Sequence, residues 1–235
     1  MNVLAMLSHP DDAEFFCGGT LMKYRKGGHR VFVALSVNGN IGSNDASTTR
    51  SQVAAVRKAE QLAASKHYDA EVRFLDFDDQ LLFDSPQSRM QILDAIRWAS
   101  PDVILTNYPG DQSTDHGLTG EIVGRVLLSS PSRLIPATLE PLRKAPSVFY
   151  VDTVAGVGFS PEVYVDITAE IDGKLAALKE HASQFAWMRE YELDDLTDAC
   201  RTVARFRGLQ AGCRYAEAYR MHRVHGFMAD PRLLP

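Results

Sequence analysis

The chain has 235 residues, 45% of them hydrophobic and 23% charged, with a net charge of −5. This is an ordinary globular balance in a chain long enough for a sizeable core. A pI near 5.8 argues against a nucleic-acid-binding surface, and no apolar run approaches the roughly 18 residues of a membrane helix. Cys17, Cys200 and Cys213 are odd in number and form no CxxC pair, which excludes a disulfide framework and a thiolate zinc site. The N-terminus opens into a strand rather than a signal segment. The expectation is a cytoplasmic protein with no nucleic-acid partner and no membrane span, its oligomeric state open and a homo-oligomer included.

In chain order, Asn2-Val-Leu-Ala-Met-Leu7 reads as a buried strand, and the stretch from Glu14 to Tyr24 as a helix that stops at Gly27-Gly28. Val31–Leu35 is a second strand, followed by a Gly- and Asn-rich loop to Asp45 and a helix over about 50–65. Val72–Leu75, the helix Met90–Trp98 and the strand Val103–Thr106 come next, and then a helix over about 117–128. Residues 130–146 hold four prolines and read as a surface loop. Val148–Val151 and Val163–Ile167 are later strands. Ile171, Leu175, Leu178, Ala182 and Phe185 make one stripe at helical spacing, and a last helix covers about 194–207. This rhythm predicts a Rossmann-like three-layer α/β/α sandwich, one domain over 1–235, with a mostly parallel sheet and a C-terminal helical extension.

The chemistry concentrates in two loops, each placed where a strand ends and a helix begins, the usual crevice of an open α/β sheet. The first holds His9-Pro-Asp-Asp12 with Glu14, and the second runs Pro109-Gly-Asp-Gln-Ser-Thr-Asp-His116. His9, Asp12 and His116 together would make a His₂Asp triad, the layout of a catalytic zinc site with an open position. Such a metal lowers the pKa of its water and polarises a carbonyl. Asp11, beside a ligand and facing the crevice, is the candidate to take the proton and return it to a leaving amine.

These loops resemble the LmbE/PIG-L family of zinc-dependent N-acetyl-sugar deacetylases. Its first motif, A-H-P-D-D-x-E followed by G-G-T, reads here Ser8-His-Pro-Asp-Asp-Ala-Glu14 and Gly18-Gly-Thr20; its second, H-P-D-H, reads Ser113-Thr-Asp-His116. The resemblance implies His9, Asp12 and His116 as metal ligands, Asp11 as general base and Asp115 as the carboxylate that buttresses the site. It also implies Arg57 of Arg57-Lys-Ala-Glu60 and Asp79 of Phe77-Asp-Asp79 as contacts to the sugar, with Ser113 on the substrate side. Residues 174–184 and 215–220 look like the family's C-terminal blocks. The implied cofactor is Zn²⁺, though a His₂Asp site also takes iron (Fe²⁺), cobalt or nickel. The implied partner is a small N-acylated sugar.

Ser113 stands where the family's general-acid histidine is found, and a hydroxyl cannot supply an imidazolium. Three outcomes are open: Asp11 performs both transfers, His222 or His225 fills the gap, or turnover is weak. The alternatives are an amidase acting on a larger sugar–thiol conjugate and a member that binds metal without turnover. Plainer readings stand beside these. Asp12 alone reads as a helix cap, Glu14 as support for the helix start, Arg57 and Glu60 as an i, i+3 surface pair, and Asp79 as an Asx-turn. His181 reads as a core-edge histidine, His29 and His67 as surface residues, and Cys17 as packed.

Overall fold

Strands that alternate with helices must reach the next strand by crossovers, and this chain does so from its first strand onward. A computed structural model describes residues 1–190, 195–224 and 227–235. β1 (Asn2–Leu7), β2 (Arg30–Val37), β3 (Ala70–Phe77), β4 (Val103–Thr106) and β5 (Ser147–Val151) are parallel neighbours. Between them lie α1 (Gly18–Lys26), α2 (Arg50–Ala64), α3 (Pro86–Ala99) and α4 (Thr114–Val126). Then come β6 (Val163–Asp166), α5 (Ile171–Leu178), α6 (Ala182–Glu190), α7 (Leu196–Ala211) and β7 (Ala216–Met221). A short ribbon, β8 (Arg223–Val224) and β9 (Phe227–Met228), follows.

The sheet order is β3-β2-β1-β4-β5-β7-β6. From β1 the chain moves outward through β2 and β3, then crosses to place β4 on the other side of β1. The loops after β1 and β4 therefore face each other at the point where the winding reverses, the place where such sheets hold ligands. Val3, Ala5 and Leu7 enter one core with α1, α5 and α7, while Leu4 and Met6 enter the other with α3 and α4. A strand covered on both faces has no polar side to show, which is why Asn2–Leu7 is a continuous apolar run.

Local signals start the helices that matter. A capping box of Thr49 with Gln52 opens α2, and one of Ser85 with Ser88, with Pro86 in the first turn, opens α3. α4 lies hard against the loop after β4: a Cβ on Gly120 would stand 2.0 Å from the Asn107 carbonyl oxygen. Among the described residues no helix is long and apolar enough to cross a membrane.

Two expectations need adjusting. The stripe from Ile171 to Phe185 is carried by two helices, α5 and α6, with a break at residues 179–181. After α7 the chain does not stay helical but returns to the sheet as β7, antiparallel to both β5 and β6. Ala216-Glu-Ala-Tyr-Arg-Met221 lacks the β-branched residues that mark strands. Its place is set by a tertiary contact instead: the buried Glu217 carboxylate accepts the Gly19 and Thr20 N–H groups at the start of α1 and pairs with Lys174.

Candidate metal centre and cleft

His9 leaves the C-terminal end of β1, and Asp12 lies one turn on. His116 stands in the first turn of α4. Their donor atoms converge: His116 Nε2 is 3.2 Å from His9 Nδ1 and 3.3 Å from Asp12 Oδ1, and one atom from each lies within 4.8 Å of the others. Two imidazole nitrogens and a carboxylate oxygen in one small volume fit a divalent transition metal. The far nitrogens strengthen that fit. His9 Nε2 faces Asp115 Oδ2 at 3.2 Å, and His116 Nδ1 faces Asp111 Oδ2 at 3.1 Å. A carboxylate behind each imidazole fixes its tautomer and orientation, as in other histidine metal sites. Asp79 and Asp115 also bring oxygens within 4.8 Å of a His9 nitrogen.

Asp12 does not cap the following helix. Its Oδ2 turns back to accept the Ser8 and His9 N–H groups at 3.1 and 3.0 Å, because the chain must close a tight turn there to aim Oδ1 at His116. Burial alone would raise the Asp12 pKa, but the His116 charge and hydrogen bond hold it well below the usual carboxylate range. Burial likewise works against protonating His116. The Asp12 charge and the hydrogen bonds to Asp111 and Asp12 outweigh it and push the His116 pKa up to about 10.

Asp11 has φ +106, a conformation rare for any residue with a side chain and worth about 1–3 kcal/mol of strain. Arg57 Nη2 donates to Asp11 Oδ2 at 3.0 Å and to the Pro10 carbonyl. Burial raises the Asp11 carboxyl above its ordinary range, against the opposing pull of Arg57. The chain then passes through a π-helical turn, Ala13–Cys17, a form often met at functional sites. Glu14 stands in the first turn of that helix, but its carboxylate is turned to side chains of the core. It is fully buried and accepts hydrogen bonds from Gln61 Nε2 and Tyr68 OH and pairs with His181. His181 is accordingly a core residue, and Cys17 is packed.

The triad and Asp11 lie in a cleft of about 320 Å³. Arg57, Asp79, Gln80 and Gln184 also line it, and much of the remaining wall is apolar: Phe15, Phe16, Ile41, Val154, Trp187 and Met188. Asp79 faces the cleft while its Oδ1 accepts the Gly39 N–H at 2.6 Å. Arg57 and Glu60 do not pair with each other; Arg57 goes to Asp11, and Glu60 accepts Ser183 N–H and OH at 2.7 and 2.6 Å. Ser113 is not among the lining residues, and its N–H donates to Asp111 Oδ1 at 2.8 Å. His222 does not line the cleft and bonds through Nδ1 to the Tyr150 hydroxyl at 2.6 Å. His225 lies outside the described residues. His67 is exposed and His29 half-buried.

Sequence reasoning overlooked Asp111, Gln61 and Gln80. Asp111 has no signal beyond its place in the His116 loop, because an Asp after Gly110 reads as a turn residue. Gln80 has φ +63 and sends its N–H to Asp115 Oδ2 at 2.9 Å, so the turn after β3 also braces the buttress of His9.

The chain is 29% identical over 231 residues to the diacetylchitobiose deacetylase of Thermococcus kodakarensis, covering 93% of this chain and 82% of that protein. Among solved structures, the N,N'-diacetylchitobiose deacetylase of Pyrococcus horikoshii, crystallised with an inhibitor, matches with a TM-score of 0.82 at 26% identity, over 93% of this chain and 82% of that one. A 4-carboxy-2-hydroxymuconate hydratase from Pseudomonas putida KT2440 shares the fold with a TM-score of 0.80 at 22% identity, over 97% and 98% of the two chains. The PIG-L family model, described as GlcNAc-PI de-N-acetylase, matches residues 4–127, which carry both site loops, and the chain belongs to that family.

Proposed function

We propose that the cleft removes the acetyl group from an N-acetylated amino sugar or its glycoconjugate, in a metal-dependent amide hydrolysis. The observation that carries this reading is the convergence of His9 Nδ1, His116 Nε2 and Asp12 Oδ1 at the sheet's switch point, with Asp11 beside them in the same cleft. His9, Asp12 and His116 hold the metal, taken as zinc; Asp115 and Asp111 orient the two imidazoles. A divalent ion bound there supplies Lewis-acid activation of water and of the amide carbonyl.

Asp11 is the general base. It lies in the cleft beside the three ligands, placed to accept a proton from water and give it up again to the departing nitrogen. Among the described residues, the two imidazoles that line the cleft are both assigned to the metal, and Ser113 stands outside the lining. Of the described side chains there, Asp11 is the one left for both transfers, with Arg57 holding its Oδ2. Asp79 and Arg57 mark the sugar end. The hydratase of the same fold shows that the scaffold alone does not fix the reaction, so the reading rests on the site.

The apolar wall of Ile41, Val154, Trp187 and Met188 favours a substrate larger than a free sugar, an amino sugar carrying a further group. The test is release of acetate and free amine by the zinc-loaded protein from N-acetylglucosamine, N,N'-diacetylchitobiose and N-acetylglucosaminides with apolar substituents. Release from at least one, abolished by chelator, is expected. No acetate from any of them overturns the reading.

A further inference from the structure

Gln61 is fully buried and does not line the cleft, yet its side chain touches the backbone of the residue read above as the base. The Asp11 N–H donates to Gln61 Oε1 at 3.1 Å. The direction of that amide is fixed from behind, where Nε2 donates to Glu14 Oε1 at 2.9 Å and to Ser65 Oγ at 3.1 Å. A carboxylate oxygen can only accept, so the nitrogen must face Glu14 and the oxygen must face Asp11. Glu14 is held in its turn by the Tyr68 hydroxyl and by His181 Nε2 at 3.1 Å.

Arg57 precedes Gln61 by four residues, which puts both on one face of α2. The helix therefore grips Asp11 twice, at its carboxylate through Arg57 and at its N–H through Gln61. Two grips matter because Asp11 sits at φ +106. A residue with a side chain keeps such a conformation only where its surroundings over-determine it.

We propose that Gln61 is a positioning residue for the deacetylation: it holds Asp11 in the backbone conformation that aims the base into the cleft. The proposal rests on Asp11 being the base. Gln61→Met keeps the length and removes both polar atoms. In the full-length zinc-loaded protein, Gln61→Met is expected to lower kcat roughly ten- to a hundredfold, with KM within about twofold and zinc per chain unchanged. Hydrogen exchange of the Asp11 amide, read without substrate, is expected to quicken in Gln61→Met.

Unchanged exchange in folded Gln61→Met overturns the proposal whatever the turnover. So does a kcat within about twofold of the parent, or a loss of zinc that tracks the loss of kcat. Gln61→Asn, one methylene too short to span Glu14 and Asp11, takes the place of Gln61→Met should that variant not fold. If the parent protein hydrolyses no acetamide, the deacetylase reading fails by itself, and the exchange rates still decide the role of Gln61.

Discussion

Asp111 and Asp115 sit four residues apart around the start of α4, and each stands behind a different imidazole. Asp115 was legible because it lies in a recognisable motif; Asp111 was not, because the contact that gives it a role, Oδ2 to His116 Nδ1, exists only once the loop folds against α4. Asp111→Ala is expected to weaken zinc binding about ten- to a hundredfold, measured against a competing chelator; unchanged affinity would make it a mere turn residue. Protonation competes for the same atoms. The His116 pKa is raised from 6.5 to about 10 in the protein without metal. Its contribution to stability is therefore complete below pH 6.5 and is lost as the pH climbs towards 10. Metal-stripped protein should melt at progressively lower temperature across that range, while zinc affinity, which requires displacing the proton, should rise across it. A melting temperature flat from pH 6.5 to 10 would mean that His116 is not protonated there.

Elements were legible where one signal dominated. β1 announced itself by an unbroken apolar run and α2 by the spacing of one apolar face, while the Ser85 cap that starts α3 four residues before Met90 went unread. β7 did not announce itself, since its Ala- and Glu-containing sequence carries no strand signal and its place depends on Glu217 reaching the start of α1, about two hundred residues away in sequence. The break between α5 and α6 was missed for a similar reason: the apolar spacing continues across it. The element on which the site depends most is α4, which carries His116 and rests on the Asn107 carbonyl through Gly120. Gly120→Ala puts a methyl group into that oxygen and should destabilise the protein by about 1–3 kcal/mol, lowering both melting temperature and zinc affinity as α4 moves away from β1. An alanine variant that keeps both would show that helix and loop separate without cost to the site.

At the scale of the whole molecule, strand order explains why residues about a hundred positions apart meet. The mostly parallel sheet was foreseeable from the alternation of strands and helices, and the meeting of the two loops from their matching places after strands; the reversal beside β1 was not, because alternation does not set strand order. The apolar character of the cleft was not, because Ile41, Val154 and Trp187 come from separate segments without a shared pattern. The proposed reaction requires a bound metal and proton transfer by Asp11. The direct measurement is acetate release from an N-acetylglucosaminide by chelator-treated protein, by the same protein reloaded with zinc, and by zinc-loaded Asp11→Asn. The chelated protein should be inactive and zinc should restore turnover. Asp11→Asn should bind zinc normally and turn over roughly 10²–10⁴-fold more slowly. Full turnover by the chelated protein or by Asp11→Asn would contradict the account.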